Sequence, residues 1–191
     1  MRKIFFDIET QNTFQDVGSR DPASLDISIL AIYDSETEKY STFLDTELDE
    51  LWPILEKADV IIGFYSDKFD IPLLNKYYSG DLTNLRSLDI LAEIKKSIGR
   101  NVGLGKIAQG TLNADKSAHG LQATNWWKQG KIDEIREYCI QDVKVTKDIY
   151  DYALKHGKLK YLEDGKITEF DIDTSKWEED EGSSITHTLG F

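Results

Sequence analysis

The sequence predicts a mixed α/β domain, with three antiparallel strands first and helices alternating with short parallel strands after them. Three observations predict it. Strand-like apolar runs crowd the N-terminal third: Lys3–Ile8, Ile27–Tyr33, Lys39–Leu44 and Val60–Phe64. Helical periodicity takes over beyond them and is longest in Lys131–His156. No internal repeat or hinge-like stretch divides the chain, and 191 residues, 40% of them apolar, suit one domain with a sizeable core.

Lys3–Ile8, KIFFDI, reads as a buried strand. Ile27–Tyr33 and Lys39–Leu44 read as two more, joined by a hairpin at Asp34–Glu38. Leu48–Lys57 predicts a short amphipathic helix with Pro53 near its start. Val60–Phe64 is apolar on both faces, as a central parallel strand is. Ile71–Tyr78 predicts a helix closed by Gly80, with Asp70 as its N-cap and Pro72 in its first turn. Ser87–Ile98 predicts another helix. Gly99–Gly130, with glycines at 99, 103, 105, 110 and 120, reads as irregular apart from a short helix at Leu104–Gln109. In Lys131–His156 one stripe carries Ile132, Ile135, Cys139, Val143, Thr146, Tyr150 and Ala153, and Gly157 ends the helix. Tyr161–Ile172 predicts a hairpin turning at Asp164-Gly165. The domain is expected over residues 1–175, and 176–191, with the run Glu178-Glu179-Asp180-Glu181, as an acidic flexible tail.

Thirty-five acids against 23 bases give a net charge of −12, which excludes a globally basic nucleic-acid coat. The charge is uneven. Residues 86–131 hold eight bases and three acids, whereas 163–181 hold nine acids and two bases. The basic middle is either a local phosphate-binding surface or a solvated face of ordinary lysines. The longest apolar run, Val60–Tyr65, has six residues, too few for a membrane span. Arg2 and Lys3 precede too short an apolar stretch for a signal peptide. Cys139 is the single cysteine, so no internal disulfide forms, and a reducing cytoplasm is the expected compartment.

Four acids stand where acids are costly. Strand side chains alternate, so Asp7 and Glu9 share one face, about 6–7 Å apart along the chain. Burying both requires a positive partner between them, either a basic side chain or a divalent cation; alternatively they lie at a frayed strand end and cap a helix. Asp142 sits on the apolar stripe of the long helix, with Tyr138 one turn before it. A salt bridge at the core edge, with Tyr138 as plain packing, would explain them too. For Asp70, helix capping is a complete role in itself, although a helix N-terminus also keeps a carboxylate charged and fit to hold a metal.

Together these residues resemble the DEDD superfamily of 3′–5′ exonucleases, which share the ribonuclease H-like fold. The first motif is Phe6-Asp7-Ile8-Glu9-Thr10, the second runs from Gly63 through Asp70 to Leu74, and the third is Tyr138-Cys139-Ile140-Gln141-Asp142-Val143. Tyrosine four residues before the last aspartate marks the DEDDy subgroup; the histidine of the other subgroup would stand at 137, which is Glu. The spacing resembles the proofreading domain of family B DNA polymerases and stand-alone relatives, over about Lys3 to Leu162. Two positions depart from that pattern: Tyr65 stands where an asparagine is usual, and Asn113 where a glycine is common.

The resemblance implies a mixed five-stranded sheet flanked by helices and two divalent metal ions, Mg²⁺ or Mn²⁺. It implies Asp7, Glu9, Asp70 and Asp142 as metal ligands, with Asp7 bridging the ions and Tyr138 orienting the attacking water. Asp7, Glu9, Asp70, Tyr138 and Asp142 would be the catalytic residues, and Thr10, Tyr65, Phe69, Lys106 and Lys116 would contact substrate. The substrate implied is the 3′ end of single-stranded DNA, favoured over RNA, and the product a nucleoside 5′-monophosphate. No polymerase domain follows, so the protein is expected to act alone or through a partner. A ribonuclease D-like RNA exonuclease and a catalytically silent binding module are the rival readings. Trp126, Trp127, Tyr65 and Phe14 are candidates for base stacking or for core packing.

Overall fold

The N-terminal strand organises the molecule because it is apolar on both faces and so needs cover on both. The computed structural model describes residues 1–114 and 121–179. Strand β1 (Lys3–Thr10) pairs antiparallel with β2 (Ile27–Asp34), which pairs antiparallel with β3 (Lys39–Leu44). On its other side β1 pairs in parallel with β4 (Val60–Gly63), and β4 with β5 (Ser87–Asp89). The five-stranded sheet therefore runs β3-β2-β1-β4-β5, the mixed arrangement expected.

The period-two alternation of β1 sorts two cores. Ile4, Phe6 and Ile8 join Leu30, Ile32 and Ile61 on one face, under α3 (Asp70–Asn75) and the one-turn α2 (Trp52–Leu55). Phe5 joins Ile29, Ala31 and Ile62 on the other, beneath the long α7 (Ile132–His156) and α4 (Ile90–Ile98). The stripe of α7 buries Ile135, Cys139, Val143, Thr146, Tyr150 and Ala153, as its periodicity predicts. Asp7 and Glu9 share the Phe5 face, and Asp7 lies opposite the small Ala31. The central strand thus points two carboxylates at α7.

Several elements differ from expectation. Leu48–Lys57 is not one helix: a 3₁₀ segment covers Asp45–Glu50 and α2 follows. Helix α3 starts at Asp70, so Phe69 is the N-cap and Asp70 the first helical residue. The predicted helix Ser87–Ile98 splits into β5 and α4, with the Asp89 side chain capping α4 by accepting from Leu91 and Ala92 N–H. The glycine-rich middle forms α5 (Leu104–Leu112) and α6 (Leu121–Lys128). Gly110 is placed there for a close approach: a Cβ on it would lie 2.6 Å from the Tyr161 backbone. That backbone belongs to a separate hairpin, β6 (Lys158–Glu163) and β7 (Lys166–Asp171), turning at Asp164 and Gly165, both at positive φ.

The tail boundary also moves. Trp177 is buried and stacks on Tyr150 at 5.3 Å. The Glu178 carboxylate accepts from Lys3 Nζ at 2.5 Å and from the Tyr150 hydroxyl at 3.2 Å. Arg86 donates to the carbonyls of Lys176 and Trp177. The chain is therefore packed through Trp177 and Glu178, past the expected boundary at 175; the rest of the acidic segment, 180–191, lies outside the described residues.

Candidate active site

The C-terminal end of β1 and the turns after β4 reach the same edge of the sheet, because these two strands are parallel. Asp7 and Glu9 come from β1, Asp70 from the first turn of α3, and Asp142 from mid-α7. Each of Asp7, Glu9 and Asp142 offers an oxygen, and these three oxygens lie within 4.8 Å of one another. All four acids line a single cavity of about 300 Å³.

Its electrostatics are those of charges brought together against repulsion. Burial pushes the Asp7 carboxyl well above the usual range, and the charges of Asp142, Glu9 and Asp70 push it further. Glu9 is raised well above its ordinary value for the same reasons. Asp142 is raised to about 6 by burial, against a hydrogen bond from Tyr138 that lowers it. Asp70 is raised to about 7, again by burial first, while its own N–H and that of Ile8 donate to it and oppose the rise. Asp70 therefore bonds back to β1 rather than capping α3 in the expected way.

Among the described residues no lysine or arginine lines the cavity, and none of the four acids has an ion-pair partner. Oδ1 of Asp142, a residue only 8% exposed, is buried without a hydrogen-bond partner. An all-oxygen donor set, crowded, uncompensated and with one oxygen unsatisfied, fits a hard divalent cation. It does not fit the salt-bridge or helix-capping alternatives.

Two groups adjoin the acids. The Tyr138 hydroxyl donates to Asp142, and burial plus the surrounding carboxylates raise its pKa above the ordinary phenol value, so it stays protonated at neutral pH. Cys139 is buried, with Sγ 3.3 Å from the Asp7 carbonyl oxygen and 3.6 Å from Asp7 Oδ2, and burial pushes its thiol up; it is a packing residue, as expected.

Thr10, Tyr65 and Phe69 line the cavity, as the motif positions suggest. Lys106 does not. It pairs with Glu163 at 2.5 Å, and Arg100 pairs with the same carboxylate at 2.6 Å. Lys128 faces Asp16, and Lys96 faces Glu93. Much of the basic middle is thus spent on internal pairs and carbonyls. Lys116 and His119 lie outside the described residues. Trp126 meets the Tyr138 ring edge-on at 6.0 Å, and both it and Trp127 pack on the core instead of lining the cavity. Phe14 does line it.

The sequence reading missed Asn12, Thr13 and Thr124 on the cavity wall. The Thr13-Phe14-Gln15-Asp16 capping box, which starts the one-turn α1 (Phe14–Val17) and closes both hydrogen bonds in the structure, was the available signal for the first two. Thr124 had none; its hydroxyl donates to the Thr10 carbonyl from α6.

A five-stranded sheet in this order, with buried acids at the junction of its central strand and a long helix, defines the ribonuclease H class of nuclease-like folds. The chain belongs to the RNase H superfamily, whose family model matches residues 4–154. Similar solved structures include the family B DNA polymerase of the archaeon Pyrobaculum calidifontis, with a TM-score of 0.63 and 18% identity over 81% of this chain. Trypanosoma brucei RNase D is another, with a TM-score of 0.57 and 15% identity over 78% of this chain. The chain spans 24% of that polymerase and 56% of that RNase D. No curated protein matches the sequence.

Proposed function

We propose that the protein is a divalent-metal-dependent 3′–5′ exonuclease that releases nucleoside 5′-monophosphates from the 3′ end of single-stranded DNA. The observation that carries this is the uncompensated cluster of Asp7, Glu9 and Asp142 in one cavity with Asp70. These four acids would hold two ions, Mg²⁺ or Mn²⁺; when bound, the ions supply positive charge against the scissile phosphate and lower the pKa of water. The chain's own residues do the rest. Tyr138, protonated and held beside Asp142, would hydrogen-bond the attacking water through its hydroxyl and orient it, and is no base. Thr10, Tyr65 and Phe69 face the strand end. A cavity of about 300 Å³ is at the small end of ligand sites, which suits a strand end and not a length of duplex.

A second reading keeps the chemistry and takes RNA, and the similarity to an RNase D favours it. Among the described residues no helix is long and apolar enough to cross a membrane. A reducing cytoplasm suits the lone buried thiol.

The test uses matched 5′-labelled DNA and RNA single strands with Mg²⁺ or Mn²⁺. The expected result is a ladder shortening from the 3′ end, faster on DNA and abolished by chelation. A faster RNA ladder moves the assignment to the second reading. Tight binding with no shortening makes the domain a silent module.

A further inference from the structure

Asp89 is a buried carboxylate, 4% exposed, that does not line the acid cavity. As the N-cap of α4, its Oδ1 accepts from Leu91 N–H at 2.9 Å and Ala92 N–H at 3.3 Å. Capping alone needs no more than that. The same carboxylate also reaches the turn after β4, accepting from Tyr65 N–H at 2.8 Å on Oδ1 and Asp67 N–H at 3.3 Å on Oδ2. The register explains the reach: Gly63, the last residue of β4, pairs with Asp89.

The residue so held is unusual. Tyr65 has φ +67°, the left-handed region that an aromatic side chain adopts only under constraint. Its ring gains little packing in return: it is 44% exposed and lines the acid cavity. The turn has no slack either, since a Cβ on Gly63 would stand 2.5 Å from Ser66 Cβ. A constrained backbone that displays an exposed aromatic ring at a cavity, fixed by a carboxylate from the next strand, is costly unless the ring's position matters.

We propose that Asp89 is a positioning residue that clamps Tyr65 in its left-handed conformation, so that the ring forms a fixed platform for the terminal base of the strand. This rests on the nuclease reading of the acid cavity. Asp89 acts through the backbone N–H of Tyr65 and touches no reacting atom.

The experiment measures kcat and KM on a labelled single strand for the parent, Tyr65→Gly, Asp89→Ser and the double variant, with thermal melting in parallel. Glycine accepts the left-handed turn without strain, so Tyr65→Gly is expected to melt no lower than the parent while KM rises about tenfold, the contribution of one stacked base. Serine still caps α4 but is too short to reach Tyr65, so Asp89→Ser is expected to raise KM with kcat within about threefold of the parent. In the Tyr65→Gly background Asp89→Ser is expected to raise KM no further. Should Asp89→Ser fail to fold, Tyr65→Gly still decides the role of the ring, and Asp89→Asn, which keeps the Oδ1 bonds, should retain the parent's KM. A parent that cuts while Tyr65→Gly keeps the parent's KM overturns the platform. An Asp89→Ser effect equally large with and without the tyrosine ring overturns the clamp. A parent that leaves the strand whole overturns the nuclease reading itself.

Discussion

Removing one negative charge from the cavity should stabilise the metal-free protein, and Asp142→Asn is the cleanest way to show it. Asparagine keeps the shape and an acceptor oxygen for the Tyr138 hydroxyl, and its amide can donate to the neighbouring carboxylates. Asp142 titrates at about 6 in the folded protein, raised by burial from an ordinary 3.8. Between those two values the folded state keeps a proton that the unfolded chain has released. Stability therefore falls as pH rises through that window, and above it the full penalty is present. A tenfold change in proton affinity is worth about 1.4 kcal/mol, so the penalty is about 3 kcal/mol. Urea denaturation in a chelating buffer at pH 8 should find Asp142→Asn more stable than the parent by about that amount, and near equality at pH 4. Adding Mn²⁺ should stabilise the parent more than the variant. A variant no more stable than the parent at pH 8, or an advantage that persists undiminished at pH 4, would refute the reasoning.

Other expectations follow from the same geometry. Asp7→Asn should lower the cleavage rate on the order of a thousandfold, and Tyr138→Phe about tenfold, since orientation contributes less than ligation; the opposite ranking in a labelled-strand assay would remove Tyr138 from its role. Gly110→Ala forces a methyl onto the Tyr161 backbone and should cost about 1–3 kcal/mol in urea melts; an unmoved midpoint would show that α5 and β6 have slack between them. With no lysine or arginine on the cavity wall among the described residues, strand binding should weaken only shallowly with salt, as for about one or two phosphates. A steep slope in a binding titration would place cations along the strand elsewhere.

What was legible in the sequence is what regular periods display. Asp7 and Glu9 share a face because strands repeat every two residues, and Tyr138 and Asp142 adjoin because helices bring positions four apart together. Four of the five strands were legible as apolar runs of ordinary length, though their order in the sheet was not. Strand β5 was hidden because three residues are too few to show alternation, and because Asp89 ends the strand and caps the helix at once. Asp70 was placed near its position but given the wrong hydrogen bonds; its partner, Ile8 N–H, belongs to a strand 62 residues earlier. The basic middle looked like a phosphate surface because its neutralising acids are distant in the chain: Glu163 lies 57 residues from Lys106. Gly110 looked like irregular structure because its reason is a neighbour on another element. Period-based signals survive in a sequence, and pairings across the fold do not.

The position of the cavity has a topological cause. Strand β1 is antiparallel to β2 but parallel to β4, so the sheet changes direction at its central strand, and the segments that leave β1 and β4 diverge at the same edge. Helix α7 crosses above that edge, with Cys139 against Asp7 and Asp142 one turn further on. A site that must oppose several carboxylates needs rigid walls, because repulsion would spread them if they stood on loops. Here all four acids project from the central strand, the long helix and the buried first turn of α3, whose other residues form both cores. The Phe5–Tyr150 contact at 5.1 Å and the Tyr150–Trp177 stack lie on the same strand face and helix stripe as the acids. The apolar residues of β1 and α7 thus hold in place the cavity acids, which on their own would separate.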